Sequence, residues 1–130
     1  MRVVLDTNIL VSALVLPGGR AEEALTRVVE GTERLILSKP ILDELLGVLA
    51  RKFSRDREEL ARVAVWLEEL AEWVRPTRRV TAAEDEADNR ILECASAGRA
   101  DAIVTGDKAL LQLKTFDGIQ ILTLRDYLAR

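Results

Sequence analysis

The 130-residue chain contains no histidine and one cysteine, Cys94. The missing histidine excludes Ser-His-Asp and Cys-His catalysis, and a lone thiol leaves too few soft ligands for zinc. One cysteine cannot form an internal disulfide, which suits a reducing compartment. Aromatic residues make up only 4% of the sequence, so the chain does not resemble a single-strand binder built on base stacking. No apolar run approaches the roughly 20 residues that cross a bilayer. Asp6 and Asn8 interrupt the layout a signal peptide would need. These absences point to a cytoplasmic protein with no membrane segment.

No low-complexity tract, internal repeat or linker divides the chain, and its length suits one domain. Hydrophobic residues at 48% and charged residues at 32% fit a folded globular chain. The net charge of -3 argues against a protein that coats nucleic acid nonspecifically. It leaves room for a nuclease, whose acidic site would lower the sum. Without histidine or a thiol cluster, any metal must be held by oxygen, which points to magnesium or manganese.

The elements follow from periodicity. Val3-Val4-Leu5 reads as a strand buried on both faces and running into Asp6. Residues 8–15 and 21–30 read as helices separated by Pro17-Gly18-Gly19. Residues 34–37 form a second strand, Ser38 an N-cap, and 39–51 a helix with Pro40 in its first turn. Residues 55–73 read as the longest helix, capped by Ser54, with Trp66 and Trp73 along its edge. Val74 falls in a brief third strand. Thr81 to Ala97 begins acidic and becomes a helix. Residues 102–105 form a strand ending in Gly106-Asp107, a short helix follows, and 119–122 is the last strand before a helix capped by Thr123. The alternation specifies a parallel α/β sheet with helices on both faces.

Acidic residues then stand out by position. Asp6 and Asp107 each follow a buried strand, so both fall at the carboxyl edge, where open α/β sheets bind ligands. Asp85 and Asp88 are three apart near a helix start, on one face with Leu92. Glu44 borders the apolar face of the 39–51 helix, as does Asp43, and periodicity does not choose between them. Each acid also has a plain structural reading: Asp6 and Asp107 as N-caps, Asp85 as a first-turn residue favoured by the helix dipole. Several carboxylates with no other catalytic group suit magnesium-assisted phosphodiester hydrolysis. Lys108, beside Asp107, could contact phosphate. Two basic clusters, Arg51, Lys52, Arg55 and Arg57, and Arg75, Arg78 and Arg79, could hold an RNA backbone or simply pair with nearby glutamates.

Four stretches together, Leu5-Asp6-Thr7-Asn8-Ile9-Leu10, Ser38 with Glu44, Asp88-Asn89-Arg90-Ile91-Leu92-Glu93, and Ile103-Val104-Thr105-Gly106-Asp107, resemble the PIN domain. The likeness is strongest to the VapC-like toxin components of toxin–antitoxin systems, and it spans essentially the whole chain. It implies a three-layer α/β/α fold over residues 1–130 with about five parallel strands in the order 3-2-1-4-5. It implies a Mg²⁺-dependent (or Mn²⁺-dependent) ribonuclease with catalytic and metal-binding roles on Asp6, Glu44, Asp88 and Asp107. Support would come from Thr7, Asn8, Ser38, Asp85 and Thr105, and RNA contact from Lys108, Arg78 and Arg79. The implied partners are an RNA substrate, a protein antitoxin and a second copy of the chain.

Two neighbouring classes fit less well. A phosphoacceptor domain needs an acidic pair near the first strand, and only Asp6 is there. A haloacid-dehalogenase-like phosphatase wants a second Asp two residues on, and position 8 is Asn. A housekeeping RNA-processing nuclease and a catalytically silent binding module both stay open.

Overall fold

The computed structural model describes residues 1–130. In order, the elements are β1 (Arg2–Leu5), α1 (Thr7–Val15), α2 (Arg20–Val29), β2 (Arg34–Leu37), α3 (Lys39–Phe53) and α4 (Arg57–Leu70). Then come β3 (Glu72–Trp73), α5 (Glu86–Ala97), β4 (Ala102–Val104), α6 (Lys108–Leu113), β5 (Thr115–Phe116), β6 (Ile119–Leu122) and α7 (Leu124–Leu128). The strands form one sheet in the order β3-β2-β1-β4-β6-β5. All pairings are parallel except the β5–β6 hairpin. The five parallel strands therefore stand in the 3-2-1-4-5 order expected. Helices α1 to α4 pack on one another, α1 against α2 and α3 and α3 against α4, while α5 lies against β1, β2 and β4, and α6 against β6.

The reason for this order lies in burial. Val3, Val4 and Leu5, Leu35 to Leu37, and Ala102 to Val104 are all buried on both sides, so β1 can only be a central strand. Its neighbours are equally apolar, and the short β3 and β5 take the edges. β1 and β4 run in register from Val3 opposite Ala102 to Leu5 opposite Val104. The ladder continues one step further, because the Asp6 amide donates to the Val104 carbonyl at 2.9 Å. Asp6 thus leaves the sheet directly beside the segment that leads to Asp107.

Some expected boundaries shift. The helix expected over 55–73 starts at Arg57, with Asp56 as its cap: the Asp56 carboxylate accepts the Glu59 amide at 2.8 Å. Ser54 instead closes α3 in a left-handed conformation, φ 51°. That makes α3 the longest helix. The third strand begins at Glu72, not Val74, and takes Trp73 out of the helix. Glu72 is drawn to the sheet by its ion pair with Arg2 and by the pairing of Ile36 with Glu72. The helix expected from Thr81 begins only at Glu86, after an irregular segment.

One strand escapes the apolar pattern. β5 is two residues long and pairs antiparallel with β6. Asp117 and Gly118 link them, both with positive φ (51° and 77°), as a tight two-residue hairpin requires. No helix is long and apolar enough to cross a membrane.

Candidate active site

Asp6 occupies the N-cap position of α1, yet its side chain makes no capping bond. The carboxylate accepts from the Thr105 hydroxyl at 2.6 Å. Thr105 is fully buried and its Oγ1 in turn accepts the Asp107 amide at 3.0 Å. One threonine thereby fixes the two strand-end acids relative to each other. Asp107 caps α6 by accepting the Leu110 amide at 3.1 Å, so its structural reading is true. That bond uses one carboxylate oxygen and leaves the other.

Two helices bring the remaining acids. Glu44, on α3, is half-buried and its Oε2 receives the Thr7 hydroxyl at 3.4 Å. Asp88, at the third position of α5, is 6% exposed. Asp107, Asp85 and Asp6 are the charges that act on it. Asp85 caps α5 through the Ala87 amide at 2.8 Å and stands exposed within range of both Glu44 and Asp88. Asp43 points to solvent and pairs with Lys39 at 2.9 Å, which resolves the choice left by periodicity: only Glu44 turns toward Asp6.

The electrostatics follow from this gathering. Burial, then repulsion from Asp107, Asp85 and Asp6, pushes the Asp88 carboxyl up to about 7. Burial raises Asp6 above the ordinary aspartate value, partly offset by the Thr105 hydrogen bond. Burial and the nearby Asp6 raise Glu44. None of Asp6, Glu44, Asp88 or Asp107 takes part in a salt bridge. Arg51, one face of α3 further along, is the cation that acts on Glu44, and weakly. Buried acids without cationic partners are costly. An all-oxygen donor set of this kind suits a hard divalent cation. In the present side-chain arrangement no three of these groups form a preformed cage.

The other expected residues divide. Thr7 is buried and engaged with Glu44, while Asn8 is exposed. Ser38 is fully buried at the N-cap of α3, gives no cap bond, and its hydroxyl has no oxygen or nitrogen partner. Burial pushes the Cys94 thiol up to about 12. Lys108 opens α6 beside Asp107 and is exposed. Arg78 is not brought to the acids. It pairs with Asp117, at the start of β6 and hence at the opposite edge of the sheet, and stacks over Phe116 at 5.4 Å. Arg79 is exposed next to it.

Three polar residues on α5, Asn89, Arg90 and Glu93, carry the resemblance as part of the Asp88 to Glu93 stretch but take no individual role from it. Asn89 is fully buried, and Glu93 is 6% exposed and paired with Arg90 at 2.8 Å. The available signal was the i, i+4 spacing of Asn89 and Glu93 on the side of the helix that also carries Leu92.

An open parallel sheet with acids gathered at its carboxyl edge and no histidine or thiolate among them is an α/β domain with an all-oxygen site. Residues 2–109 match the family model described as PIN domain, and the chain belongs to that family, whose members are generally nucleases. The uncharacterized protein MJ1680 of Methanocaldococcus jannaschii is 28% identical over 118 residues, covering 88% of this chain and 76% of that one. Among solved structures, VapBC-1 from nontypeable Haemophilus influenzae superposes with a TM-score of 0.68 at 18% identity, covering 96% of this chain and 99% of that one. VapBC2 from Rickettsia felis, bound to a DNA fragment from its promoter, gives 0.66 at 17% identity, covering 95% and 98%. FitAcB from Neisseria gonorrhoeae gives 0.56 at 15%, covering 95% and 98%.

Proposed function

We propose that the protein is a Mg²⁺-dependent endoribonuclease, with Mn²⁺ as a substitute, and the toxin of a toxin–antitoxin pair. The observation that carries the nuclease reading is Asp6: a buried carboxylate at the end of the central strand, not spent on capping, tied through Thr105 to a second strand-end acid. Asp6, Asp88 and Asp107 would hold the ion. Bound there, Mg²⁺ would acidify a water and offset charge on the phosphate.

The chain's own groups supply the rest. Glu44, half-buried and with a raised pKa, is suited to accept a proton from the attacking water and to orient it. Water attacks phosphorus in line, the P–O bond to the leaving ribose oxygen breaks, and that oxygen takes up a proton. Lys108, exposed beside Asp107, is placed to contact the substrate phosphate. Arg78 pairs with Asp117 away from the acids, so any contact it makes with RNA would lie outside the acidic site.

The toxin reading rests on likeness to VapBC complexes, which supports a protein antitoxin as partner. The exposed apolar side chains Val65 and Trp66 on α4 supply a surface for such a partner or for a second copy of the chain. The deciding experiment is Asp6→Asn, assayed on RNA with Mg²⁺ and with EDTA. We expect an unchanged thermal midpoint to within a few degrees and loss of cleavage by about 10²–10³-fold or more, the range for removing a group on which charge stabilisation depends. Wild-type cleavage by the variant would overturn the site, and cleavage that survives EDTA would overturn the metal.

A further inference from the structure

Asp88 sits in the least secure place a catalytic acid can occupy, the first turn of a helix. Such turns fray, because their amides lack intrahelical partners. The same turn faces three other acids, Asp107, Asp85 and Asp6, whose charges act on Asp88. The preceding segment, residues 74–85, has no regular secondary structure to brace it.

The brace comes from α5 itself. The Asn89 carboxamide reaches back six residues, accepting the Ala83 amide at 2.9 Å and donating to the Ala83 carbonyl at 2.9 Å. It makes both bonds from full burial. Its Nδ2 also donates to Glu86 at 3.2 Å, within the same turn. One turn further, Glu93 accepts the amide of buried Val80 at 2.8 Å. Arg90 neutralises Glu93 and reaches Glu86 at 3.4 Å. Two side chains of one helix therefore pin the segment at Val80 and Ala83, just ahead of the Asp85 cap. The two-sided bond at Ala83 is what a strand neighbour would make, supplied here by a single side chain.

We propose that Asn89 is a positioning residue: its staple to Ala83 holds the first turn of α5, and with it Asp88, in place against the repulsion of the neighbouring acids. Asn89 touches neither substrate nor ion. It acts through Asp88, and Glu93 with Arg90 supports the same segment from the next turn. The inference rests on the proposed role of Asp88 and names what keeps it there.

The test uses the full chain and three readouts on Asn89→Ala. Amide exchange reads the staple directly. The Ala83 amide should exchange about tenfold faster or more, the worth of one lost hydrogen bond, while the Val3 and Val4 amides of β1 exchange as in wild type. Mn²⁺ titration by calorimetry reads the consequence: affinity should fall by about tenfold, typical for removing a group that orients a metal ligand. Cleavage of RNA should lose kcat with KM held. Asn89→Leu, close in size, removes both bonds to Ala83 without adding a charge; it should give the same pattern and serves if the alanine variant fails to fold. Unchanged exchange at Ala83 would overturn the staple. Faster exchange with wild-type Mn²⁺ affinity would overturn its link to Asp88. A wild-type chain that binds Mn²⁺ but cleaves no RNA would instead overturn the nuclease reading, leaving the exchange and affinity results to judge Asn89.

Discussion

Asp88 meets three other carboxylates at the carboxyl edge, and burial with their repulsion holds its pKa at about 7. In an unfolded chain the same group titrates near 3.8. The folded protein therefore binds more protons than the unfolded one between these values. The stability Asp88 contributes is complete below the unfolded value and lost as pH rises through about 7. Asp6 and Glu44 are shifted in the same direction. With chelator present, the thermal midpoint should rise as pH falls from about 8 to about 5.5, and differential scanning calorimetry checks it. Asp88→Asn should flatten most of that rise. Adding Mg²⁺ at pH 8 should raise the wild-type midpoint, since an ion bound only to the folded state stabilises it. A flat profile without metal would mean the acids stand further apart than the fold places them.

At the level of elements, α5 does two jobs: its start carries Asp88 and its end lies tightly on β2. A Cβ added at Gly98 would meet Ile36 Cγ2 at 2.4 Å. The backbone there (φ -87°, ψ 0°) is open to alanine, so replacing glycine alone would stabilise by about 0.4–1 kcal/mol. The clash with a buried β2 side chain costs about 1–3 kcal/mol and outweighs it. Gly98→Ala should therefore lower stability by about 1–2 kcal/mol in a denaturant titration. Helices and buried strands were legible because their periods were clean: Leu42, Leu45 and Leu49 on α3, and Val3 to Leu5 on β1. The boundary at Glu72 was not legible, because an ion pair with Arg2, remote in sequence, sets it. β5 carried too few residues to show a period, although Asp117-Gly118 did mark its turn.

For the whole molecule, the exposed apolar residues on and beside α4 bear on assembly: Val65 is 54% exposed, Trp66 38% and Phe53 40%. Only Leu67 of α4 is fully buried, so this helix has surface to give to a partner. Replacing Val65 and Trp66 together with lysine should leave the thermal midpoint within a few degrees, since exposed substitutions change stability by about 0.5 kcal/mol or less each. In sedimentation the proposed homodimer should become a monomer. A wild-type protein that sediments as a monomer would discard the homodimer and leave the surface to an antitoxin. The toxin reading is checked by expression in a bacterial host: growth should stop, and should recover when the adjacent small open reading frame is co-expressed. Unimpaired growth with active RNA cleavage in vitro would favour a housekeeping nuclease.

The sequence by itself determined the fold class and which donor groups are on hand. Apolar runs of three or four residues make strands that must be central, their alternation with helices makes the sheet parallel, and the absence of histidine leaves only oxygen to act. It also placed Asp6 and Asp107 at one edge, since strand ends in a parallel sheet share a side. The resemblance named Glu44 over Asp43, but only the tertiary structure shows it turned toward Asp6, Arg78 paired at the opposite edge, and Thr105 coupling the two strand-end acids. It alone gave Asn89 a partner in Ala83. The division has a physical cause. Periodicity records whether a side chain meets the core or water, a property of one element. Orientation toward a particular partner depends on where a second element lies, and that is fixed only when the layers pack.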